Sequence, residues 1–182
     1  LYTGIKSRET NMSSGRSFTI KRALKKGIFI FSVALLLAGP PTAAFGASSA
    51  VVIMYHRFDE GEYPSTNTTI GQLDAHIKEL TSGPYTVLPV PKIVESLIKG
   101  EALPNRTVGI TIDDAYRSVY EVAWPKFKAA GLPITIFAST ANLDSGSGRH
   151  MSWEQLREMV ERGASVGHHT VSHLHMVNSS PE

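Results

Sequence analysis

The sequence predicts an α/β protein built on a parallel sheet. Short apolar, β-branched runs bounded by turn residues recur along the chain, and segments with helical apolar spacing lie between them. The central run, Val108–Ile112, is followed directly by the two carboxylates Asp113 and Asp114. Because strands that alternate with helices favour parallel pairing, and because doubly covered strands are continuously apolar, we expect a barrel or an open parallel sheet.

Turn and capping residues set the bounds of the predicted elements. Thr69 with Gln72, and Ser152 with Gln155, have the spacing of a capping box, which opens a helix. Pro125 is expected to kink or divide the helix that contains it. The predicted order is a strand over 50–56, a helix over 69–80, a strand over 85–88, a helix over 91–100, a strand over 108–112, a helix over 116–130, a strand over 132–138, a helix over 152–162 and a strand over 164–167.

Asp113 and Asp114 form the first half of a candidate site. Two like charges at the end of an apolar strand repel each other, so the pair persists most easily beside a cation or with a shared proton. The carboxyl ends of parallel strands are also where α/β folds bind their ligands. The alternative interpretation is a capping pair at a helix N-terminus.

A histidine cluster forms the second half. His168, His169, His173 and His175 place four of the seven histidines within a short stretch. The spacing of His169 and His173 turns both imidazoles to one side of a helical turn or tight loop, which with one carboxylate is a common hydrolytic metal site. His168 and His175 are interpreted as bystanders. The alternative for the cluster is a polar surface turn.

A few side chains outside the two motifs could belong either to the site or to the structural framework. His56 ends the first strand, so it either caps that strand or reaches the site. The polar loop over 58–69 lies at the same end of the sheet and is a candidate for substrate contact. Tyr116 and Trp124 could stack on sugars, although packing in the core or at the rim of the site is the favoured interpretation.

The two motifs together resemble a known family. Residues 111–115, Thr-Ile-Asp-Asp-Ala, resemble the T-F-D-D-G motif of polysaccharide deacetylases with the NodB homology fold. These enzymes are similar to carbohydrate esterase family 4. Residues 169–173 resemble that family's H-[ST]-x-x-H motif, with Thr170 in the hydroxyl position. Ile112 for Phe and Ala115 for Gly are the departures. The resemblance extends from Val51 to the end of the chain.

The resemblance implies a deformed (β/α) barrel and a metal-dependent hydrolase that removes N-acetyl groups from hexosamines in a polysaccharide. It assigns Asp113 as the general base and Asp114, His169 and His173 as ligands of a divalent metal. The residue chemistry alone favours the same roles, with zinc as the first choice and other first-row ions possible. The later strands, the arginine that orients the base and a histidine general acid are expected after Glu182, so the chain is interpreted as truncated after the second motif.

The N-terminal region has the pattern of a secretory signal. Residues 1–11 are interpreted as an upstream or artefactual extension, because the first Met is Met12. Residues 12–47 combine a basic start, an apolar run over 27–39 and small residues before a cleavage zone, which predicts a signal peptide and a secreted, periplasmic or cell-envelope protein. An uncleaved membrane anchor is the alternative. Residues 48–182 are then the N-terminal part of the deacetylase domain.

Composition narrows the classes of function. The formal charge of +2 comes from the N-terminal region, because eleven Lys and Arg against fifteen Asp and Glu remain after residue 47, which gives −4. This gives no support to nucleic-acid binding. The chain has no Cys, so disulfides and thiolate ligands are excluded. A secreted carbohydrate-binding protein without turnover, and a phosphoesterase with two ions, are the alternatives to a deacetylase.

Overall fold

The computed structural model of the chain describes residues 47–175, 177 and 179. The predicted extension over 1–11 and the predicted signal peptide, except its last residue, lie outside the described residues. Within the described part of the chain, no helix combines the length and the apolar character needed to cross a membrane.

A parallel sheet of five strands organises the fold, as predicted. The strands of this sheet pair in the order β1, β5, β6, β7, and β4 pairs with the start of β5. Two further short strands, β2 and β3, form a separate parallel pair. The strand bounds are β1 Val51–Tyr55, β2 Arg57–Phe58, β3 Asn67–Thr68, β4 Thr86–Val87, β5 Thr107–Asp113, β6 Thr135–Ala138 and β7 Ser165–His168.

Helices connect the strands, and both predicted capping boxes form. The backbone N–H of Gln72 donates to Thr69 Oγ1 at 3.3 Å, and that of Gln155 donates to Ser152 Oγ at 3.2 Å. Each cap satisfies an N–H group of the first turn that has no partner within its helix. The helix bounds are α1 Ile70–Ser82, α2 Val90–Ile98, a π-helical turn Val119–Ala123, α3 Trp124–Ala129, α4 Thr140–Asp144 and α5 Trp153–Glu161.

Two predicted elements begin clearly later in the structure, and one helix was not predicted. The helix predicted over 116–130 begins later, because Tyr116 forms a β-bridge with His150, and it is divided next to Pro125 into a π-helical turn and α3. The strand predicted over 132–138 begins at Thr135, after Pro133, which has no N–H to donate to a neighbouring strand. Helix α4 lies in a segment predicted as a loop.

Strand β5 crosses the centre of the hydrophobic core. Ile110 and Ile112 have no exposed surface, and Ile136 of β6 and Phe127 of α3 are equally buried. Burying one such side chain contributes about 1.5–3 kcal/mol relative to leaving it exposed. Because only the last residue of β5, Asp113, is more than marginally exposed, the core fixes the position of the strand end that carries the acidic pair.

Candidate metal centre

The end of β5 turns sharply at the acidic pair. Asp113 is aligned with Phe137 of β6, and the backbone N–H of Asp114 donates to the Phe137 carbonyl at 2.9 Å. Asp114 and Ala115 then have φ angles of 68° and 53°. This left-handed conformation costs a non-glycine residue about 1–2 kcal/mol, so the family's Gly would adopt it with less strain than Ala115 does. The turn directs the Asp114 side chain towards the end of β7.

Strand β7 delivers the histidines beside this turn. It ends at His168, and the His169 N–H donates to the Ala138 carbonyl at 3.2 Å. Gly167 lies against Phe137 of β6, where an added Cβ would come within 2.6 Å of the ring carbon Cδ1. The close approach of the two strands therefore depends on a residue without a side chain, and it brings His169 over the acidic pair.

The segment after β7 is a tight turn, which is one of the two conformations predicted for the histidine spacing. Thr170 and His173 have positive φ angles of 62° and 55°. Ser139 Oγ donates to the His169 carbonyl at 2.8 Å, and Thr170 Oγ1 accepts from the Leu174 N–H at 2.9 Å. The turn places the two imidazole rings edge to face, with ring centroids 4.6 Å apart.

The three predicted ligands converge. Asp114 Oδ1 lies 3.4 Å from His169 Nε2 and 3.5 Å from His173 Nε2. Tetrahedral zinc with N and O ligands at about 2.0–2.2 Å separates its ligand atoms by roughly 3.3–3.6 Å, so these spacings fit such an ion. His169 Nε2 is buried and has no hydrogen-bond partner among the described residues, as expected of an atom that faces a ligand. The donor set therefore fits a divalent first-row metal.

Asp113 lies beside this cluster without joining it. Its carboxylate is 4.0 Å from His56 Nε2, so His56 reaches the site from the end of β1. Burial raises the pKa of Asp113 above its ordinary value, His169 and His56 lower it, and the charge of Asp114 raises it again. A carboxylate whose affinity for protons is raised, beside a candidate metal position, has the properties of a general base.

The structure also decides the surroundings of the other residues that the sequence singled out. His168 is exposed on β7, and His175 approaches His173 with ring centroids 5.9 Å apart. Trp124 is 7% exposed, which agrees with the packing interpretation. The ring of Tyr116 is covered by the guanidinium of Arg57 and by the His150 ring, so it also packs within the protein.

Sequence reasoning missed Arg57 and His150 as parts of the surroundings of the site. Arg57 is only 7% exposed, and its guanidinium carbon lies 3.5 Å from the centroid of the Tyr116 ring. The rings of Tyr116 and His150 stack at 4.9 Å. These partners are far apart in the sequence and follow no periodic pattern, so the only local signal was a basic residue at a strand end.

A cavity of about 400 Å³ lies beside the turn that follows Asp114. The loop over 58–69, predicted to lie at this end of the sheet, contributes residues 58–60, 62 and 63 to its wall. Arg117 and Ser118 form another part, and Gly148 and Arg149 close a third side. The cavity is open to solvent and has both acidic and basic side chains in its wall, so its chemistry suits a polar ligand.

The fold and the cluster define a class: an α/β protein with an Asp, His, His metal-type cluster at the carboxyl edge of a parallel sheet. Comparison with known proteins narrows this class. Residues 100–182 match the family model described as polysaccharide deacetylase. YxkH of Bacillus subtilis, whose curated name assigns it provisionally to the polysaccharide deacetylases, is 31% identical over 132 residues. The alignment covers 72% of this chain and 46% of YxkH, so the chain spans about half the length of that relative.

Solved structures agree on the fold. The Streptococcus pyogenes deacetylase PplD, solved in complex with acetate, superposes with a TM-score of 0.66 at 24% identity, over 72% of this chain and 61% of that chain. IcaB from Ammonifex degensii superposes with a TM-score of 0.60 at 29% identity, over 70% of this chain and 55% of that chain. The resemblance to polysaccharide deacetylases with the NodB homology fold is thereby confirmed.

Proposed function

We propose that this protein is a metal-dependent hydrolase that removes N-acetyl groups from hexosamine units of a polysaccharide. The observation that carries the proposal is the convergence of Asp114, His169 and His173, with Asp113 next to them and separate from them. The family match, to a group of deacetylase hydrolases, supports the reaction type. The arrangement provides one position for a Lewis acid and an adjacent position for a base, which together suffice to activate water against an amide.

Asp114, His169 and His173 would hold the ion, for which zinc is the first candidate. An ion bound there would polarise an acyl carbonyl and lower the pKa of bound water. Asp114 contributes the only negative charge among the three ligands, and its side chain is 10% exposed. The side chain of His173 is 48% exposed, so the cluster opens to solvent on that side, from which an acetylated sugar can approach.

Asp113 would accept the proton of the attacking water. Its raised pKa means that it holds this proton more strongly than an exposed aspartate does, which favours proton transfer. His56, 4.0 Å from the carboxylate, faces Asp113 from the residue between β1 and β2. The acetyl group leaves as acetate and the sugar retains a free amine.

A polysaccharide substrate agrees with a cavity whose wall includes residues three and four positions after Asp114 in the chain, although no proposed ligand lines it. This cavity, bounded by residues 58–60, 62–63, 117–118 and 148–149, is large enough for a sugar residue and carries charged and hydroxyl groups that can bind sugar hydroxyls. We further propose that the protein acts outside the cytoplasm, in the cell envelope or as a secreted protein. This rests on the signal pattern over 12–47, and it agrees with the location of glycan polymers.

The test measures acetate release from N-acetylglucosamine oligomers together with bound zinc, on the full-length protein. We expect Asp113→Asn to lower the rate by about 10²–10⁴-fold, since a general base contributes this much, and to retain zinc. Asp74→Asn is the matched control, because Asp74 is an exposed carboxylate paired with Lys126 away from the cluster. A near-normal rate in Asp113→Asn would contradict the assignment of the base.

A second pair of variants tests the metal. His169→Ala should lose zinc and activity together, whereas His168→Ala, which changes the exposed neighbouring histidine, should retain both. Zinc binding by the wild type without acetate release from any acetylated glycan would instead indicate a carbohydrate-binding protein. If the wild type binds no divalent metal, the proposed centre is wrong.

A further inference from the structure

A stack of four side chains lies behind the turn that carries Asp114. We name it the Arg57 stack: Tyr63, Arg57, Tyr116 and His150. The guanidinium carbon of Arg57 lies 3.8 Å from the centroid of the Tyr63 ring and 3.5 Å from that of Tyr116. The Tyr116 ring stacks on the His150 ring with centroids 4.9 Å apart and planes 22° apart. The stack therefore joins three loops at the carboxyl edge of the sheet.

Charged and polar contacts hold Arg57 within this stack. Its Nη1 donates to Glu60 Oε2 at 2.6 Å, which pairs the buried guanidinium. The other oxygen of Glu60 accepts from Ser118 Oγ at 2.5 Å, and Ser118 Oγ accepts from the Phe58 N–H at 3.2 Å. Glu60 thus connects the strand of Arg57 to the segment that follows Tyr116, so the contacts lie on both sides of that tyrosine.

The segment between these contacts has an unfavourable backbone conformation. Asp114 and Ala115 are both left-handed, and such residues keep this conformation only when the surroundings impose it. Backbone hydrogen bonds contribute: the Met151 N–H donates to the Ala115 carbonyl and the Arg117 N–H donates to the Arg149 carbonyl, each at 3.0 Å. Side-chain packing on Tyr116 completes the set of contacts, with Arg57 against its ring at 3.5 Å from the centroid and the His150 ring stacked on it.

We infer that Arg57 is a positioning residue for the proposed metal centre. It acts through the Tyr116 ring to keep the turn after β5 left-handed, so that the Asp114 carboxylate faces the two imidazoles. The planar guanidinium is required because it packs on two rings and pairs with Glu60 at once, which an ammonium group cannot do. This role of Arg57 rests on the proposed function, because it assumes that Asp114 binds a metal. The contacts of Arg57 themselves are present without any ligand.

The test compares Arg57→Lys with the wild type in the full-length protein, with Zn²⁺ alone as the probe. Loss of a side chain that orients a ligand costs about 10–100-fold in metal affinity, so we expect Arg57→Lys to bind Zn²⁺ at least about 10-fold more weakly. Arg162→Lys is the matched control, because Arg162 pairs with Glu158 on α5 at 3.0 Å and is half exposed, and its affinity should equal that of the wild type.

A double-mutant cycle tests the route through Tyr116. In a Tyr116→Leu background the same Arg57→Lys change should alter the affinity by less than about 2-fold, since contacting residues are coupled. Equal losses in both backgrounds would overturn this route. All affinities are measured well below the melting temperatures, so that a role limited to stability would shift Tm and leave the affinity unchanged.

Hydrogen exchange in two variants tests the role of Arg57 without relying on metal binding. Amide hydrogen exchange over residues 114–118 in the metal-free protein should be faster in Arg57→Lys, and Glu60→Gln, which removes the ion pair and retains the arginine, should give a smaller change in the same direction. Unchanged exchange overturns the inference even if no metal binds. Acetate release by the wild type decides the proposed function separately: a protein that binds Zn²⁺ and shows the Arg57 effect without releasing acetate would refute the function alone.

Discussion

The two halves of the candidate metal centre are held in different ways. The carboxylate half ends a buried strand, and the side chains of Asp113 and Asp114 are 14% and 10% exposed. The imidazole half follows the last strand of the described sheet, and the side chains of His169 and His173 are 29% and 48% exposed. The core and the Arg57 stack fix the first half, whereas an exposed turn, joined to residues 138–141 by hydrogen bonds, holds the second.

The two halves are therefore expected to play different parts when an ion binds. A carboxylate in a fixed position supplies charge and direction without reorganisation when an ion arrives. An imidazole on an exposed turn can adjust its distance to the ion, at the cost of ordering the turn. We therefore expect the carboxylate half to determine the affinity for metal and the imidazole half to show the structural response to it.

The largest expected effect comes from removing one ligand in each half. Asp114→Asn should weaken Zn²⁺ binding by well over 100-fold, because loss of a partner that only orients a ligand already costs about 10–100-fold. His173→Ala should cost less, since water can occupy the position of a half-exposed imidazole. Isothermal titration of both variants measures the difference. Equal losses would show that burial does not distinguish the two halves.

A smaller effect is expected in amide hydrogen exchange. Binding of Zn²⁺ should slow exchange over residues 169–174 by about 10-fold or more, because a ligand stabilises the conformation to which it binds. Exchange at 113–116 should change by less than about 3-fold, since the core and the Arg57 stack already order this turn in the metal-free protein. Mass spectrometry with and without metal resolves both segments. Stronger protection of the carboxylate turn would reverse the comparison.

The smallest expected effect concerns pH. Burial lowers the pKa of His150 below its ordinary value, with Asp114 opposing the shift and Arg149 adding to it. The unfolded chain therefore binds a proton near pH 6.5 that the folded protein takes up only at lower pH, so stability falls as the pH falls through this interval. Between pH 7.5 and 5, Tm of the metal-free wild type should fall more than that of His150→Asn. The exposed His168→Asn is the control, and parallel curves for wild type and His150→Asn would contradict the prediction.

Much of the fold could be predicted from local patterns. The apolar run over 108–112 predicts β5, and the capping boxes at Thr69 and Ser152 predict the starts of α1 and α5, because these signals depend on residues a few positions apart. Pro125 predicts the division of its helix for the same reason. The convergence of Asp114 with His169 and His173 followed from placing both motifs at the carboxyl ends of parallel strands.

The remainder depends on contacts between distant residues. Arg57 packs on Tyr116, and Ser118 bonds to Glu60, only after the sheet has brought three loops together. The left-handed backbone at Ala115 was equally hidden, because Ala gives no sign of positive φ where a Gly would. Sequence patterns therefore predicted which side chains form the candidate site, but not which neighbours hold them in place.

The contact between Gly167 and Phe137 has a consequence for genetic experiments on this protein. Any side chain at position 167 must displace the Phe137 ring of the adjacent strand, so we expect every missense codon there to disturb the packing of β7 on β6. His169 directly follows the last residue of β7 and His173 lies four residues further on, so a shift of that strand would move both imidazoles. In a mutational scan scored by enzyme activity, substitutions at Gly167 should therefore lower activity about as much as substitutions of a metal ligand do, although glycine has no side chain with which to bind a metal.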